Sequence, residues 1–283
     1  MAALELALKG SKYVLFDVQL ANDGAAVVIK DSTTGRTTEK DMNVAQTSSA
    51  ELAKLNFKGG GGTVPLLKDM MDECRKKGAK VVLQVQENSQ ALLTEISDYV
   101  RKYDLYSSVV VTSYTATVPF FMKRHDPKML TGLIFLHGVS MALTIAFLFD
   151  FFLFIPIAYR ISKSDFQRLS YNRFGTMADF IRSHPGSLFY KFLAQIIDDS
   201  MQFLVGTFLL PRFVGSDVIF LGQNDVSVNF VKEAKSRKMM VVALDADSKT
   251  AQEWLRDVAE IPYFTRNLKD MSGARYTGHG EQN

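Results

Sequence analysis

Residues 63–86 read TVPLLKDMMDECRKKGAKVVLQVQ and place a helical pattern directly before a continuous apolar run. The apolar positions of residues 66–77 recur at helical spacing, whereas residues 80–86 form a short run rich in valine. Strands of a parallel sheet read as such runs because protein covers both of their faces. This stretch therefore predicts a helix followed by a buried strand of a parallel sheet.

The same alternation continues along the chain in both directions. Further strands are predicted at residues 12–18, 107–113, 129–135, 217–221, 239–244 and 261–265, and further helices at 89–102, 225–237 and 249–258. The turn sequence Asn22-Asp23-Gly24 predicts a hairpin whose second arm is 26–30. Strands that alternate with helices indicate an α/β fold with a parallel sheet. The chain offers seven candidate barrel strands, and its 283 residues leave room for one eight-unit barrel and little else.

Composition excludes several classes of protein. An apolar content of 47% and a charged content of 22% exclude an intrinsically disordered chain. The net charge of +3 is too small to indicate the strongly basic character of a nucleic-acid-binding protein. A single cysteine, Cys74, excludes an intrachain disulfide and a multi-cysteine zinc site.

Two segments suggest contact with a membrane. Residues 132–159 read GLIFLHGVSMALTIAFLFDFFLFIPIAY, with Asp150 as their only formal charge. This run is long enough to span a bilayer, which predicts an integral membrane protein; the alternative is a buried core helix. Basic residues flank both ends of the run, so neither an orientation nor an organelle is indicated. Residues 187–210 predict an amphipathic helix that either packs on the barrel or lies in a membrane interface.

Residues 15–38, LFDVQLANDGAAVVIKDSTTGRTT, carry a resemblance to a known family. They resemble the signature of glycerophosphodiester phosphodiesterases, E-x-D-V-x-L-T-x-D-G-x-P-V-x-x-H-D-x-x-x-x-R-T-T. Residues 63–86 resemble the family's next block, and residues 107–135 and 190–266 are also similar. The resemblance implies a TIM barrel with its active site at the carboxyl ends of the strands. It also implies a bound Mg²⁺ or Ca²⁺ and the hydrolysis of glycerophosphodiesters to glycerol 3-phosphate and an alcohol.

Read position by position, the resemblance implies that the family's chemical groups are largely replaced. Of the three acidic positions that hold the metal, Asp17 is kept, whereas Leu15 and Gln84 stand at the other two. Lys30 stands at a catalytic histidine, and Gln86 stands at a lysine. We therefore expect no intact catalytic set, a metal-site remnant at Asp17, a phosphate contact from Lys30, and weak or no cation binding.

Other parts of the signature are kept or have no counterpart. The residues that form the hairpin turn and the following loop are retained: Gly24, Asp31, Arg36, Thr37 and Thr38. The family's first histidine lies in a His-Arg-Gly motif on a strand that precedes a helix like residues 2–9, and that motif is absent here. The resemblance thus predicts a TIM-barrel-like fold that is incomplete because its first strand is missing.

This organisation leaves three hypotheses for function. Residues 1–135 and 175–283 form the two parts of the barrel, and residues 136–174 form a hydrophobic insertion, either a transmembrane segment or translated intron sequence from a faulty gene model. The first hypothesis is a catalytically impaired, membrane-associated family member that binds a glycerophosphodiester, a phospholipid headgroup or a protein. The second is an active metal-dependent hydrolase with a longer N-terminus. The third is a non-catalytic membrane interaction protein.

Overall fold

The structure is a computed structural model, and it describes residues 2–60, 62–135 and 203–265. Its centre is a seven-stranded sheet in the order β2-β1-β3-β4-β5-β6-β7. The strands are β1 (Tyr13–Leu20), β2 (Ala26–Val28), β3 (Lys80–Val85), β4 (Val109–Ser113), β5 (Leu130–Phe135), β6 (Val218–Gly222) and β7 (Met240–Leu244). All neighbours run parallel except β1 and β2, which form the hairpin. The predicted α/β fold with a parallel sheet is confirmed.

Helices connect the parallel strands. They are α1 (Ala2–Gly10), α2 (Ser49–Leu52), α3 (Leu67–Lys76), α4 (Gln90–Tyr103), α5 (Thr117–His125), α6 (Leu209–Val214), α7 (Val228–Ser236) and α8 (Lys249–Asp257), with short 3-10 turns at Val44–Gln46 and Gln223–Asp225. Ser89, Ser227 and Ser248 start α4, α7 and α8 by accepting a backbone N–H of the first turn. Such caps satisfy donors that have no partner within the helix, which fixes where each helix begins. The four helices predicted at 66–77, 89–102, 225–237 and 249–258 are confirmed.

Apolar side chains cover both faces of the sheet. The outer face packs against the helices in two adjacent clusters, one around Leu83 and the other around Ile219. The inner, concave face forms its own cluster from Val82, Ile134, Val218, Phe220, Val242 and Leu244. We call this inner space the lumen. Burial on both faces explains why the strands read as unbroken apolar runs.

The lumen is filled by an aromatic ring that depends on a glycine. Phe220 is fully buried, and a Cβ atom at Gly132 would come within 2.5 Å of its ring. Only glycine leaves this space, so Gly132 on β5 admits the ring of the neighbouring strand β6. The lumen below the carboxyl ends of the strands is therefore a packed core, as in other α/β barrels.

Three elements differ from the sequence-based expectations. Residues 261–265 were predicted as a strand but form a single parallel bridge, Ala243 to Tyr263, because Pro262 has no N–H to continue the ladder. The helix predicted to continue to residue 210 is interrupted at Phe208, whose φ of 62° is left-handed, and α6 starts afresh after it. Helix α5 was not predicted.

The hydrophobic insertion at 136–174 and most of 187–210 lie outside the described residues, so the predicted membrane segment and the boundaries of the insertion stay predictions. Among the helices within 2–60, 62–135 and 203–265, none combines the length and the apolar character needed to cross a bilayer.

Candidate functional site

Alternation along β1 and β3 brings the predicted site residues together. Val14, Phe16 and Val18 point into the outer core, so Leu15 and Asp17 point into the lumen. Asp17 is the direct register partner of Gln84 on β3. The predicted metal positions Leu15, Asp17 and Gln84 are therefore neighbours on one face, towards the carboxyl ends of their strands.

Amide side chains satisfy the carboxylate of Asp17. The Nε2 atom of buried Gln84 donates to Oδ1 of Asp17 over 2.5 Å, and the Gln86 side chain also hydrogen-bonds to this carboxylate. Burial raises the pKa of Asp17, and the charge of Lys30 together with the two amides offsets only part of that rise. Desolvation is thus the largest influence of the surrounding protein on the ionisation of Asp17.

The loop that carries Lys30 is tied to the sheet through its backbone. Gln19 Nε2 lies within 3.0 Å of the carbonyl oxygens of Ile29, Lys30 and Asp31, and Gln86 Nε2 donates to the Lys30 carbonyl over 2.6 Å. These contacts hold Lys30 beside Asp17. Gln19 was not among the predicted site residues; the available signal was its place two residues after Asp17, on the same face of the strand.

The ammonium group of Lys30 remains available to a ligand. Lys30 is exposed, and it is close enough to Asp17 for its charge to lower the pKa of that carboxyl. The adjacent carboxylate, Asp31, pairs instead with the guanidinium of Arg36 at 2.5 Å. Within the part of the chain that the structure describes, Lys30 forms no ion pair. A lysine ammonium offers three donors and no acceptor, so it suits an anion such as phosphate.

The retained signature residues hold the loop in shape. The buried hydroxyls of Thr34 and Thr38 both donate to the carbonyl of Lys40, at 2.6 and 2.7 Å. Gly24 adopts a φ of +80° in the hairpin turn, which favours glycine. These contacts agree with the interpretation that the retained residues serve the turn and the loop.

The residues present do not fit the divalent cation that the resemblance implies. Mg²⁺ and Ca²⁺ each require several oxygen ligands. Across 2–60, 62–135 and 203–265, no three His, Cys, Asp or Glu side chains are grouped to hold a metal ion. Beside Asp17 stand Leu15, whose alkyl side chain has no oxygen, and Gln84, whose neutral amide turns its N–H rather than its carbonyl oxygen towards the Asp17 carboxylate.

Comparison with known proteins decides the family. The family model described as "Glycerophosphoryl diester phosphodiesterase family" matches residues 1–150, which is more than half of the chain. The chain belongs to this family. Two curated relatives are the glycerophosphodiester phosphodiesterase 1 proteins of Mus musculus and Homo sapiens, each 24% identical over 143 residues. Those matches cover 47% of this chain and 43% of each relative, so this chain aligns with less than half of their length.

Solved structures of the phosphodiesterase family share the fold. The glycerophosphodiester phosphodiesterase of Agrobacterium tumefaciens matches with a TM-score of 0.60 at 15% identity, covering 93% of this chain and 88% of that one. The enzyme of Thermotoga maritima matches with a TM-score of 0.56 at 11% identity, covering 94% and 86%. A phosphodiesterase of Oleispira antarctica, solved in complex with its product sn-glycerol-3-phosphate, matches with a TM-score of 0.56 at 16% identity, covering 93% and 85%. These likenesses support a TIM-barrel-like fold for this chain.

Proposed function

We propose that this chain is a family member that binds glycerophosphodiesters or their phosphate-bearing products and hydrolyses them weakly or not at all. The observation that carries the proposal is the Gln84–Asp17 hydrogen bond, in which an amide N–H occupies the carboxylate that the family's metal would need. Oleispira antarctica phosphodiesterase binds sn-glycerol-3-phosphate on the same fold, which supports a phosphate-bearing ligand.

The chemistry of the site residues supports weak catalysis. Hydrolysis of a phosphodiester requires positive charge on the phosphate and groups that transfer protons. Amides such as Gln84 and Gln86 do not ionise, and a lysine ammonium has no lone pair with which to accept a proton. The one ionisable carboxylate that they surround, Asp17, is held by those amides. These residues can bind and orient a phosphate but supply neither a cation nor a proton relay.

Lys30 supports the binding half of the proposal. Its backbone is fixed by Gln19 and Gln86, whereas its ammonium is exposed and forms no ion pair within the described residues. The negative charge of Asp17 opposes an anion at this place. Because burial raises the pKa of Asp17, this carboxyl becomes protonated at a higher pH than an ordinary aspartate, which removes that opposition. We therefore expect a phosphodiester, which remains an anion, to bind more tightly as the pH falls.

Calorimetry on the full chain tests binding and metal dependence together. Glycerol 3-phosphate and glycerophosphoinositol are titrated with and without Mg²⁺ or Ca²⁺, into the wild type, Lys30→Gln and the control Lys54→Gln. Lys54 is also an exposed lysine of the segment between β2 and α3. We expect binding that is independent of metal, reduced roughly tenfold or more by Lys30→Gln because one charge-assisted contact is lost, and unchanged by Lys54→Gln.

An enzyme assay tests the weak-hydrolysis half. Release of glycerol 3-phosphate from glycerophosphoinositol is followed with Mg²⁺ or Ca²⁺ present, and we expect little or no turnover. Robust metal-dependent turnover by the unaltered 283-residue chain overturns the proposal and favours an active hydrolase. Equal binding by the wild type and Lys30→Gln removes Lys30 from the site.

A further inference from the structure

Helices α5 and α6 expose apolar side chains at one place on the outside of the barrel. Phe121 on α5 is 39% exposed, Leu209 on α6 is 55% exposed, and Phe203, just before α6, is 62% exposed. Phe213, four residues after Leu209 and therefore on the same side of α6, is also exposed. We call these four residues the aromatic face.

The two helices lie against each other, so the exposed residues of α5 and α6 form one surface. The rings of Phe120 and Phe213 stack with their centroids 5.6 Å apart. Phe120 in turn meets Phe121 edge-on at 5.4 Å. Side by side, α5 and α6 flank β5, because α5 leads into that strand and α6 leads into its neighbour β6.

The charge around the aromatic face is basic. Neither α5, TVPFFMKRH, nor α6, LLPRFV, contains an aspartate or a glutamate. Arg212 is exposed on α6, and the guanidinium of Arg124 lies 4.2 Å from the centroid of the Phe120 ring. Lys123 does not add to this charge, because it pairs with Asp217 at 2.8 Å. Apolar and aromatic groups with arginines beside them complement an anionic lipid surface.

The most apolar part of the chain lies in the sequence between β5 and α6. Residues 132–159 begin within β5, the strand that α5 and α6 flank, and carry a single formal charge. The chain re-enters the described residues at Phe203, which belongs to the aromatic face. The segment between β5 and α6 thus returns to the described residues at an exposed apolar side chain of the aromatic face.

We propose that the aromatic face is the surface by which this protein contacts a membrane, and that its partner is a bilayer containing anionic phospholipid. Phe121, Phe203 and Leu209 enter the boundary between headgroups and acyl chains, and Arg124 and Arg212 lie against lipid phosphates. The proposal does not depend on the proposed ligand at Lys30.

Environment-sensitive labels test which surface touches lipid. Cys74 is buried, and burial raises the pKa of its thiol to about 11, so it reacts poorly with thiol reagents at neutral pH. The full chain is labelled at Leu209→Cys or Phe121→Cys with a fluorophore that shifts to the blue in apolar surroundings. Matched controls are Met240→Cys and Val258→Cys, whose native side chains are 56% and 53% exposed on β7 and after α8. Each labelled protein is checked for a native melting transition before use.

Vesicles of mixed phosphatidylcholine and phosphatidylserine are then added, with and without brominated acyl chains. We expect a blue shift, and quenching by the bromines that is several-fold stronger at 209 and 121 than at 240 and 258. Adding Arg124→Gln and Arg212→Gln should weaken both signals at 209. Equal signals at all four positions, or no effect of the arginine substitutions, overturn the proposal. A blue shift that grows with protein concentration without lipid identifies a second copy of the chain as the partner instead and also overturns it.

Discussion

The Nε2 atom of Gln84 donates a 2.5 Å hydrogen bond to Oδ1 of Asp17, its direct register partner across β3 and β1. An amide N–H is the donor here, so a neutral group satisfies one oxygen of the carboxylate. The same amide chemistry recurs at Gln86 and Gln19, which hold the loop that bears Lys30. One network therefore links the retained acid to the lysine that replaces a catalytic histidine.

Asp17→Asn is expected to stabilise the protein at neutral pH. Burial raises the pKa of Asp17 in the folded state, so the folded state binds this proton more tightly than the unfolded chain. The contribution of Asp17 to the free energy of unfolding is fully present below its unfolded pKa of 3.8. It is lost as the pH rises through the folded pKa. The asparagine variant escapes that loss, and its carboxamide oxygen still accepts from Gln84. Melting curves from acid to neutral pH measure the difference in melting temperature between the wild type and Asp17→Asn. A stability difference of about 1 kcal/mol corresponds to roughly 2–4 °C.

The control for this prediction is Asp31→Asn, which breaks the exposed pair with Arg36 and should change the melting temperature little. Added Ca²⁺ or Mg²⁺ should leave the melting temperature of the wild type unchanged. A wild type that is more stable than Asp17→Asn at neutral pH, with a gap that closes in acid, would contradict the prediction.

Asp126→Asn is expected to have the opposite effect. Burial alone would raise the pKa of Asp126, but hydrogen bonds from Tyr106, Ser97, the Lys128 N–H and Arg101 together lower it. The contribution of Asp126 to the free energy of unfolding is therefore present above its unfolded pKa of 3.8 and is lost as the pH falls through the folded pKa. Replacing the buried carboxylate should cost about 1–3 kcal/mol at neutral pH. Chemical denaturation at several pH values measures this cost.

Ser97→Ala serves as the smaller change, because it removes one donor and leaves the other contacts of Asp126 in place. The cost of Asp126→Asn should shrink in acid, where the wild-type carboxylate also becomes protonated. A cost that does not depend on pH would contradict the ionised state assigned to Asp126.

The sequence predicted the sheet better than the helices around it. Strands such as β3, KVVLQV, are buried on both faces, so their apolar runs are unmistakable. Helix α5, TVPFFMKRH, was missed because its β-branched and aromatic residues and Pro119 are atypical of helices. Pro119 is tolerated because it lies in the first turn, where its missing N–H has no partner in any case. Packing of Phe120 and Met122 in the core, rather than local preference, therefore decides this helix.

The candidate site was predictable in its positions but not in its contacts. The resemblance singled out Asp17, Lys30 and Gln84, and these residues lie near one another in the structure. The role of Gln19 was not visible, because its carbonyl partners lie 10 to 12 residues away in an irregular loop. Periodicity describes which face a strand residue occupies, but it does not describe where a loop returns.

Gly132→Ala is expected to destabilise the lumen. The new Cβ would lie 2.5 Å from the buried Phe220 ring and 3.0 Å from Oγ1 of Thr112, so a neighbour must move. Overpacking of this kind costs about 1–3 kcal/mol. Gly206→Ala is the control, since no atom lies within 4 Å of the added methyl group there. Free energies of unfolding from denaturant titration provide the comparison.

A second substitution separates this clash from a general effect on the backbone. Phe220→Leu replaces the ring by a smaller side chain and should reduce the destabilisation that Gly132→Ala causes. The double variant should therefore lose about 0.5–1 kcal/mol less unfolding free energy than the sum of the two single losses. If the losses of unfolding free energy are strictly additive, the added methyl group at residue 132 does not clash with Phe220.

The open side of β1 predicts association between chains. Lys12 and Val18 accept from β3 through their carbonyls, so even-numbered residues of β1 face β3 and odd-numbered N–H groups face away. Within the described residues, no strand pairs with residues 13–16 on that far side, whereas the Asp17 carbonyl accepts from Ile29 just after β2. Unpaired edges of this kind pair readily with other chains. Light scattering at low detergent should therefore detect concentration-dependent oligomers of the full chain.

Proline substitutions test whether that edge is responsible. Leu15→Pro removes an N–H on the open side, so it should reduce oligomers while leaving the ladder to β3 in place. Phe16→Pro is the matched control, because it removes a bond to β3 and should lower the melting temperature strongly. A monodisperse wild-type monomer at every concentration would count against an open barrel.

Rebuilding the family's acids is expected to restore cation binding with little turnover. Leu15→Glu and Gln84→Glu place two carboxylates beside Asp17 on the lumen face, and Lys30→His returns an imidazole. Three acids repel one another without a cation, so the triple variant should melt below the wild type until Ca²⁺ is added. A cation at a hundred times its dissociation constant then adds about 2.7 kcal/mol. Calorimetry and melting curves with Ca²⁺ or Mg²⁺ measure the two effects.

The matched control is Leu15→Gln with Lys30→Gln, which changes size and polarity without adding a carboxylate and should bind no cation. Turnover should stay low in the triple variant because the resemblance implies a second histidine, in a His-Arg-Gly motif that these 283 residues do not contain. Such a group typically contributes about a hundred- to ten-thousand-fold. Supplying a His-Arg-Gly strand upstream of residue 1 should then raise the release of glycerol 3-phosphate. A triple variant that fails to bind Ca²⁺ would show that Leu15, Asp17 and Gln84 do not mark the metal position. Full activity without the added strand would show that these three substitutions alone explain the impairment.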